Sequence, residues 1–197
     1  RGPGIALQAH GTARFCVLSM ENDTEKVGEL YYDTEDLRWN FRNSGGNVNL
    51  SINDNRSVDF PAQPIISGQI GTAISTFSSD QKIPFNEFFV DQGNISYNAS
   101  TRRFTVPVGG IYRITLNPFF DTSTGAGRVL IGINNDAPGA STHRGHCYRE
   151  VATYDTGCLN SVVSLSANDY IVFYLSSGTL YNQSTDKFTQ FTIEKIA

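Results

Sequence analysis

The sequence predicts an all-β protein, and three observations support this class. Asn, Ser, Thr and Gly are abundant, while only 17% of the residues are charged. Apolar residues occur in short runs separated by turn-forming clusters, which is typical of sandwiches and barrels. The chain has no helix candidate longer than two turns and no apolar run near the roughly 18 residues of a membrane-spanning helix.

The first segment, residues 1–56, is predicted to be a short β meander. Apolar and polar residues alternate along it, so that Leu37, Trp39 and Phe41 share one face of a strand. The four predicted strands are Arg14–Met20, Val27–Tyr32, Leu37–Phe41 and Val48–Ile52. A domain of this size buries too little surface for secure stability alone, so we expect it to depend on partners.

The stretch Asn53–Ser57 is polar throughout, which is typical of an exposed hinge. We place the domain boundary there, with residues 1–56 as a neck domain and residues 57–197 as a head domain. The formal net charge of −4 and the absence of a basic stripe argue against nucleic-acid binding.

The second segment contains many short apolar strands divided by turn clusters such as Asn134–Gly139 and Ser176–Gly178. This spacing predicts a sandwich or a jelly roll. The predicted strands are Ile65–Ile74, Phe85–Val90, Ile95–Tyr97, Phe104–Val106, Ile111–Leu116, Arg128–Ile133, Val162–Leu165, Tyr170–Leu175 and Phe188–Ile193.

The segment Arg103–Tyr112, which reads RFTVPVGGIY, is the most informative in the chain. It predicts a strand, a turn and a second strand. Pro107 ends the first strand because it has no N–H to donate, and Gly109 and Gly110 allow the positive φ of a tight reversal.

Several positions of this segment and its surroundings resemble the head domains of the complement-one-q and tumour-necrosis-factor-like family. The matching aromatic, Pro and Gly positions are Tyr97, Phe104, Pro107, Gly110 and Tyr112. A turn at Asn168-Asp169 is similar to the family's Gly-Asp turn, because Asn tolerates the left-handed conformation that Gly usually supplies. The resemblance implies a ten-stranded jelly roll that packs as a homotrimer, and it implies no ligand by itself.

The arrangement of a small β neck before such a head is similar to the distal end of the vertex spike of tectivirus-type phages. This resemblance implies a bacteriophage virion protein at the capsid vertex that presents or anchors a host–virus interaction. Its partners would be other copies of the chain, other vertex or receptor-binding proteins, and the host surface. The alternative is a spore-surface or secreted trimeric binding protein with a collagen-like stalk. Since the chain lacks a Met start and a signal peptide, we expect it to be a fragment.

The strand Tyr170–Leu175 is apolar on both faces. Ile171, Phe173 and Leu175 form one face, and Tyr170, Val172 and Tyr174 form the other. In the resembling family this strand lies at the trimer axis, so we predict a trimer interface at Tyr170, Val172, Tyr174 and Phe188. The alternative is that a loop or second layer of the same chain covers the second face.

One cluster, His143, His146 and Cys147 with Cys158 farther on, contains metal-ligating residue types, but its spacing fits no structural zinc pattern. The chain has no nucleophile elbow and no phosphate-binding loop. Asp121, Asp136 and Asp155 are interpreted as turn residues and not as calcium ligands. We therefore predict no catalytic residue, metal or cofactor, and for Cys147 and Cys158 free buried thiols are favoured over a disulfide.

Overall fold

The computed structural model describes residues 5–6, 9–10, 14–21, 26–33, 38–43, 48–53, 58–60, 62–71, 77–121, 126–149, 155–181 and 188–197. The chain divides into two compact units, Arg1–Gln63 and Pro64–Ala197. Both units consist of antiparallel β-sheet in the described residues, which confirms the all-β prediction. No helix in the described part of the chain is long and apolar enough to cross a membrane.

The first unit contains one antiparallel sheet of seven described strands. They are β1 Ile5–Ala6, β2 Ala9–His10, β3 Arg14–Glu21, β4 Lys26–Asp33, β5 Arg38–Asn43, β6 Val48–Asn53 and β7 Val58–Asp59. Their order is β1-β3-β4-β5-β6-β7, and β2 also pairs with β3. The four predicted strands correspond to β3, β4, β5 and β6, because each of them is long enough to show alternation.

The predicted boundary at residue 56 falls between two strands that pair with each other. Val58 and Asp59 lie opposite Ile52 and Ser51, so the sheet of the first unit continues past that position. The compact unit ends at Gln63. Most of the predicted hinge, residues 54–57, lies outside the described residues.

In its described residues, the second unit contains three sheets. The strands are β8 Ile65–Gln69, β9 Phe77–Ser78, β10 Gln81–Lys82, β11 Glu87–Gln92, β12 Ser96–Asn98, β13 Arg103–Thr105, β14 Gly110–Asn117, β15 Phe119–Asp121, β16 Gly127–Ile133, β17 Gly145–Arg149, β18 Asp155–Thr156, β19 Leu159–Leu165, β20 Tyr170–Ser177, β21 Thr179–Leu180 and β22 Gln190–Lys195. One sheet has the order β11-β8-β22-β14-β19, a second has β12-β13-β20-β16-β17 with β10 also on β20, and a third has β18-β15-β21-β9.

The core of the second unit contains a cluster of aromatic rings contributed by both large sheets. Phe85 lies 4.5 Å from Phe191 and 5.6 to 5.7 Å from Phe173 and Phe104, measured between ring centroids. These tilted and edge-to-face contacts are the favoured geometries of aromatic pairs. Truncating one such buried ring to Ala typically costs about 3–5 kcal/mol, so the cluster is a main source of stability.

The residues that carried the family resemblance have structural roles in this core. Phe104 and Tyr112 are completely buried, and the Tyr112 hydroxyl donates to the Val108 carbonyl at 2.8 Å. Tyr97 accepts a hydrogen bond from the Phe85 amide at 3.0 Å through its hydroxyl. Burial raises the pKa of both tyrosines. Each buried hydroxyl therefore has a partner, as a polar group in a core requires.

Two turns confirm the expected backbone chemistry. Asn168 adopts φ of +70°, so Asn does occupy a left-handed position, and the Asp169 carboxylate accepts from the Ser166 amide beside it. Gly110 adopts φ of +153°, and a Cβ there would collide with the Ala197 carbonyl oxygen. Gly110 alone of the predicted pair has positive φ.

Candidate interaction surfaces

Strand β20 lies at the centre of the six-stranded sheet, between β13 and β16. Ile171, Phe173 and Leu175 are fully buried and belong to the hydrophobic core. One face of this strand therefore packs inside the sandwich, as the alternation along it predicts.

On the other face of β20, Val172 is covered by residues 134–144, which we call the covering loop. Val172 is 0% exposed and lies opposite Gly132 in the register with β16. A Cβ placed on Gly132 would lie 2.8 Å from Val172 Cγ2 and 3.2 Å from Pro138 Cγ, so the loop lies directly above this pair. A loop of the same chain, the alternative considered above, therefore accounts for the burial of Val172 without a partner.

The other residues of the predicted trimer interface lie in two places. Tyr170 and Tyr174 are half-buried on the same face as Val172, and the Arg103 guanidinium lies 4.1 Å above the Tyr170 ring. Phe188 belongs to a different cluster, where its ring stacks on Phe119 at 4.4 Å. The structure thus groups three of the four residues, and an interface through them stays a prediction.

Charged side chains fasten the covering loop to the six-stranded sheet. The Asp136 carboxylate accepts two hydrogen bonds from Arg103, one of them from Nε at 2.9 Å, and a third from Lys82 Nζ at 3.1 Å. These partners, Arg103 first, lower the pKa of Asp136 to about 2. At the start of the loop, the side-chain amide of Asn134 donates a hydrogen bond of 2.7 Å to the Asp169 carboxylate. This hydrogen bond lowers the pKa of Asp169.

Of the cluster His143, His146, Cys147 and Cys158, the structure brings only some members into contact. Cys147 points into the core, where burial raises the pKa of its thiol, while Cys158 is exposed. Both are free thiols, but the predicted burial is found for Cys147 and not for Cys158. His143 and His146 lie side by side, with His143 Nε2 3.0 Å from His146 Nδ1. Within the described residues, no group of three or more His, Cys, Asp or Glu converges.

The three aspartates that were interpreted as turn residues do not share a site. Asp136 is held by Arg103 and Lys82 as described above. The Asp155 carboxylate accepts from the Thr156 amide at 2.8 Å and lies 3.7 Å from Arg149 Nε. Asp121 is the last residue of β15.

The five-stranded sheet carries exposed apolar residues at both edges. At one edge, β11 exposes Phe88, Phe89 and Val90, and Phe89 is 58% exposed. The register shifts between Phe88 and Val90, so Phe89 is the extra residue of a β-bulge. At the other edge, Val162 of β19 is also 58% exposed. The sequence analysis did not predict this patch, although the run of three apolar residues in EFFVDQ is a signal that could have revealed it.

The first unit carries a second exposed apolar face. Trp39 lies between Tyr32 and Ile52 in the register, and Phe41 lies between Leu30 and Leu50. Trp39, Phe41 and Ile52 are each exposed by more than a third of their surface. We call these three residues the neck apolar face.

The opposite face of the same strands is polar and buried. Asn40 and Ser51 are almost completely buried and share a hydrogen bond of 2.6 Å, donated by Ser51. Arg42 donates to the Tyr31 hydroxyl at 2.7 Å and lies 3.2 Å from a Glu29 oxygen. Asn40 Nδ2 and Arg42 Nε have no acceptor among the described residues. The usual antiparallel pattern, apolar inside and polar outside, is therefore inverted here.

Comparison with solved structures identifies the fold of the second unit. The chain is similar to Eiger TNF from S. frugiperda, with TM-score 0.54 and 10% identity over 68% of this chain and 93% of that one. It is similar to the globular domain of zebrafish complement 1qA protein, with TM-score 0.50 and 15% identity over 68% of this chain and 98% of that one.

A third similar structure is murine APRIL, with TM-score 0.53 and 13% identity over 68% of this chain and 99% of that one. The second unit, Pro64–Ala197, makes up the same share of the chain. The predicted tumour-necrosis-factor-like jelly roll is thus confirmed as a fold. No model of a known protein family matches the chain, and no curated protein matches its sequence.

Proposed function

We propose that this chain is the neck and head of a trimeric, non-enzymatic interaction protein that is displayed as a spike at a capsid vertex. The observation that carries the proposal is the fold of the second unit, which corresponds to nearly the whole length of the tumour-necrosis-factor and complement structures above. Proteins of that fold typically assemble as homotrimers and bind receptors. A small neck domain before such a head supports a role as the distal part of a spike.

The five-stranded sheet offers a face on which a second copy of the head can pack. One register row across it consists of the uncharged residues Val90, Ser67, Thr192, Thr115 and Asn160, and the neighbouring row places Val162 beside the Arg113–Glu194 ion pair. The exposed Phe89 and Val162 border this face at its two edges. Exposed apolar side chains beside a row without charge are typical of surfaces that are covered in an assembly.

The neck apolar face supports the same proposal from the first unit. A water-soluble sheet that exposes Trp39, Phe41 and Ile52 while burying polar side chains gains stability when a partner covers the apolar side. The exposed area of three side chains is far below the roughly 800 Å² per partner of a standard interface. The neck therefore associates only when the heads already hold the chains together.

Light scattering on the purified chain tests the assembly. We expect a mass three times the 21.7 kDa of one chain at micromolar concentration. A mass of one chain under these conditions would contradict the proposal.

The rival function is a spore-surface or secreted binding trimer, since the same fold and the same surfaces suit it equally. The genes that neighbour this one separate the two functions. Capsid and genome-packaging genes support the spike, whereas a secretion signal at the start of the complete gene supports the rival. Labelled antibody against the chain should decorate particle vertices if the spike proposal is correct.

A further inference from the structure

Two imidazole rings meet where the covering loop returns to the sheet. His143 lies in the loop, and His146 lies on β17, where its side chain is exposed. Their nitrogens Nε2 and Nδ1 are 3.0 Å apart, and the two rings are perpendicular. This arrangement has no role in the fold's core or in either apolar surface described above.

The hydrogen-bond partners of His143 fix which of its nitrogens carries the proton. Nδ1 lies 3.1 Å from the Gly139 carbonyl oxygen, which can only accept, so Nδ1 must be the donor. In the neutral ring, Nε2 then has a free lone pair, and His146 Nδ1 donates to it. A backbone carbonyl that holds the far N–H of a histidine is the usual outer partner of a metal-ligating ring.

The segment that carries both rings is already held in place. The turn from Gly139 to His143 is closed by the Thr142 hydroxyl, which accepts from the Gly139 amide at 2.9 Å. Between the rings, the Arg144 amide donates to the Ile131 carbonyl at 2.9 Å, and the Arg144 carbonyl accepts from Ser161 Oγ at 2.7 Å. A pre-organised pair loses little entropy when it binds a ligand.

We propose that His143 Nε2 and His146 Nδ1 form a two-imidazole site for a divalent transition-metal ion of the Ni²⁺, Cu²⁺ or Zn²⁺ class. Metal–nitrogen bonds of about 2.0–2.1 Å require the two nitrogens to lie about 2.9 Å apart at a right angle and about 3.3 Å apart in a tetrahedron. The observed 3.0 Å falls between these values. On binding, His146 moves its proton from Nδ1 to Nε2, and water completes the coordination shell.

This site holds two protein ligands from one chain, which is why the sequence pattern of a structural zinc site did not reveal it. Imidazole suits Ni²⁺ as well as Zn²⁺ and Cu²⁺, whereas thiolates select Zn²⁺ and Cu⁺. Ni²⁺ is therefore the best probe, because the exposed Cys158 thiol would compete less for it.

The test is calorimetric titration of the untagged chain with Ni²⁺ in a buffer that does not bind metal. We expect one Ni²⁺ per chain, and we expect His143→Asn and His146→Asn each to weaken binding at least about 10-fold. Thr142→Val, which keeps both rings but removes the hydroxyl that closes the turn, should weaken it by a smaller factor. His10→Asn and Cys158→Ser are the matched controls, and both should bind as the parent chain does.

A second measurement on the unchanged protein does not depend on how the variants fold. Ring proton signals of two of the three histidines should broaden or shift when Ni²⁺ is added, and those of His10 should not. The proposal is overturned if Ni²⁺ produces neither heat nor ring shifts at millimolar concentration. It is also overturned if His143→Asn and His146→Asn bind as tightly as the parent, or if His10→Asn removes the binding.

Discussion

The neck sheet and the six-stranded head sheet differ in which faces of their strands are buried. In the head, β20 is apolar on both faces, and residues 134–144 of the same chain cover Val172 on the second face. In the neck, β5 alternates cleanly, yet its polar residue Asn40 is buried and its apolar neighbours Trp39 and Phe41 are exposed. Alternation along a strand therefore shows that its faces differ, but not which face is buried.

The two units also differ in how far their stability depends on other molecules. The head core is closed by an aromatic cluster and by a loop fastened through Asp136, so it is complete within one chain. The neck has hydrogen-bonded polar groups inside and an apolar face outside. Its stability therefore depends more on other molecules than that of the head does.

The largest expected effect is on isolated fragments. A fragment of residues 64–197 should fold and assemble alone, because it contains every strand of the three head sheets. A fragment of residues 1–63 should be unfolded or only marginally stable, because its described side chains leave the apolar face of Trp39, Phe41 and Ile52 uncovered. Thermal melts of the two fragments check this, and a stable neck beside an unfolded head would reverse the comparison. Beginning the head fragment at Val58 would add β7, which pairs with the neck.

The second effect concerns assembly through the head. Val162→Lys adds a positive charge beside Arg113, and Phe89→Asp adds a negative charge at the bulge. Both charges lie in the proposed covered face, where an unpaired charge is costly. We expect each to weaken trimer formation by about 100-fold or more, equivalent to roughly 3 kcal/mol. Tyr174→Asp is the matched variant on the other sheet, where an interface was predicted from the sequence. Sedimentation of the three variants decides between the surfaces, and a normal trimer for both Val162→Lys and Phe89→Asp would exclude the five-stranded sheet.

A smaller effect is expected on the stability of the neck when its buried polar pair, Asn40 and Ser51, is changed. Asn40→Val alone leaves the Ser51 hydroxyl buried without its partner, which should cost about 1–3 kcal/mol. The double change Asn40→Val with Ser51→Val removes both polar groups and should be close to neutral. Trp39, the single tryptophan, gives a fluorescence signal for neck unfolding in urea. Equal destabilisation by the single and double changes would show that this face is not buried.

The smallest effect concerns the covering loop. Asp136 has its pKa lowered from 3.8 to about 2, so its ion pairs stabilise the folded state above pH 3.8 and this contribution is lost as the pH falls toward 2. Because the side chain is 40% exposed, Asp136→Asn should cost only about 0.5–1 kcal/mol at pH 7. Melts at pH 7 and pH 2.5 should show a difference between parent and variant that shrinks in acid. A constant difference would assign the effect to something other than charge.

The sequence predicted the longer strands well and the short ones poorly, for a physical reason. Strands of five or more residues, such as β14 and β20, display a full alternation, and Asn168 was correctly expected to replace Gly in a turn. Two-residue strands such as β7 and β10 have no period to detect. Strand β17 was missed because its GHCYR sequence resembles a polar loop.

The candidate surfaces were less predictable than the strands. Exposure depends on which elements come to lie on each other, and no local pattern indicates that residues 134–144 cover Val172. The same holds for His143 and His146. Their spacing in the sequence is common, and only the turn at Gly139 and the strand β17 bring the two nitrogens together.

The β-bulge at Phe89 has a consequence for how many copies of this protein can lie close together. An open sheet edge invites another strand to pair with it, and an apolar edge does so most strongly. The extra residue in β11 interrupts the regular spacing of its backbone groups, so a flat incoming strand finds no continuous row of partners. Phe89 can then engage a neighbour through its ring without the edge seeding fibre growth. Pairing of further strands along this edge is thereby disfavoured, even where many copies are crowded on one surface.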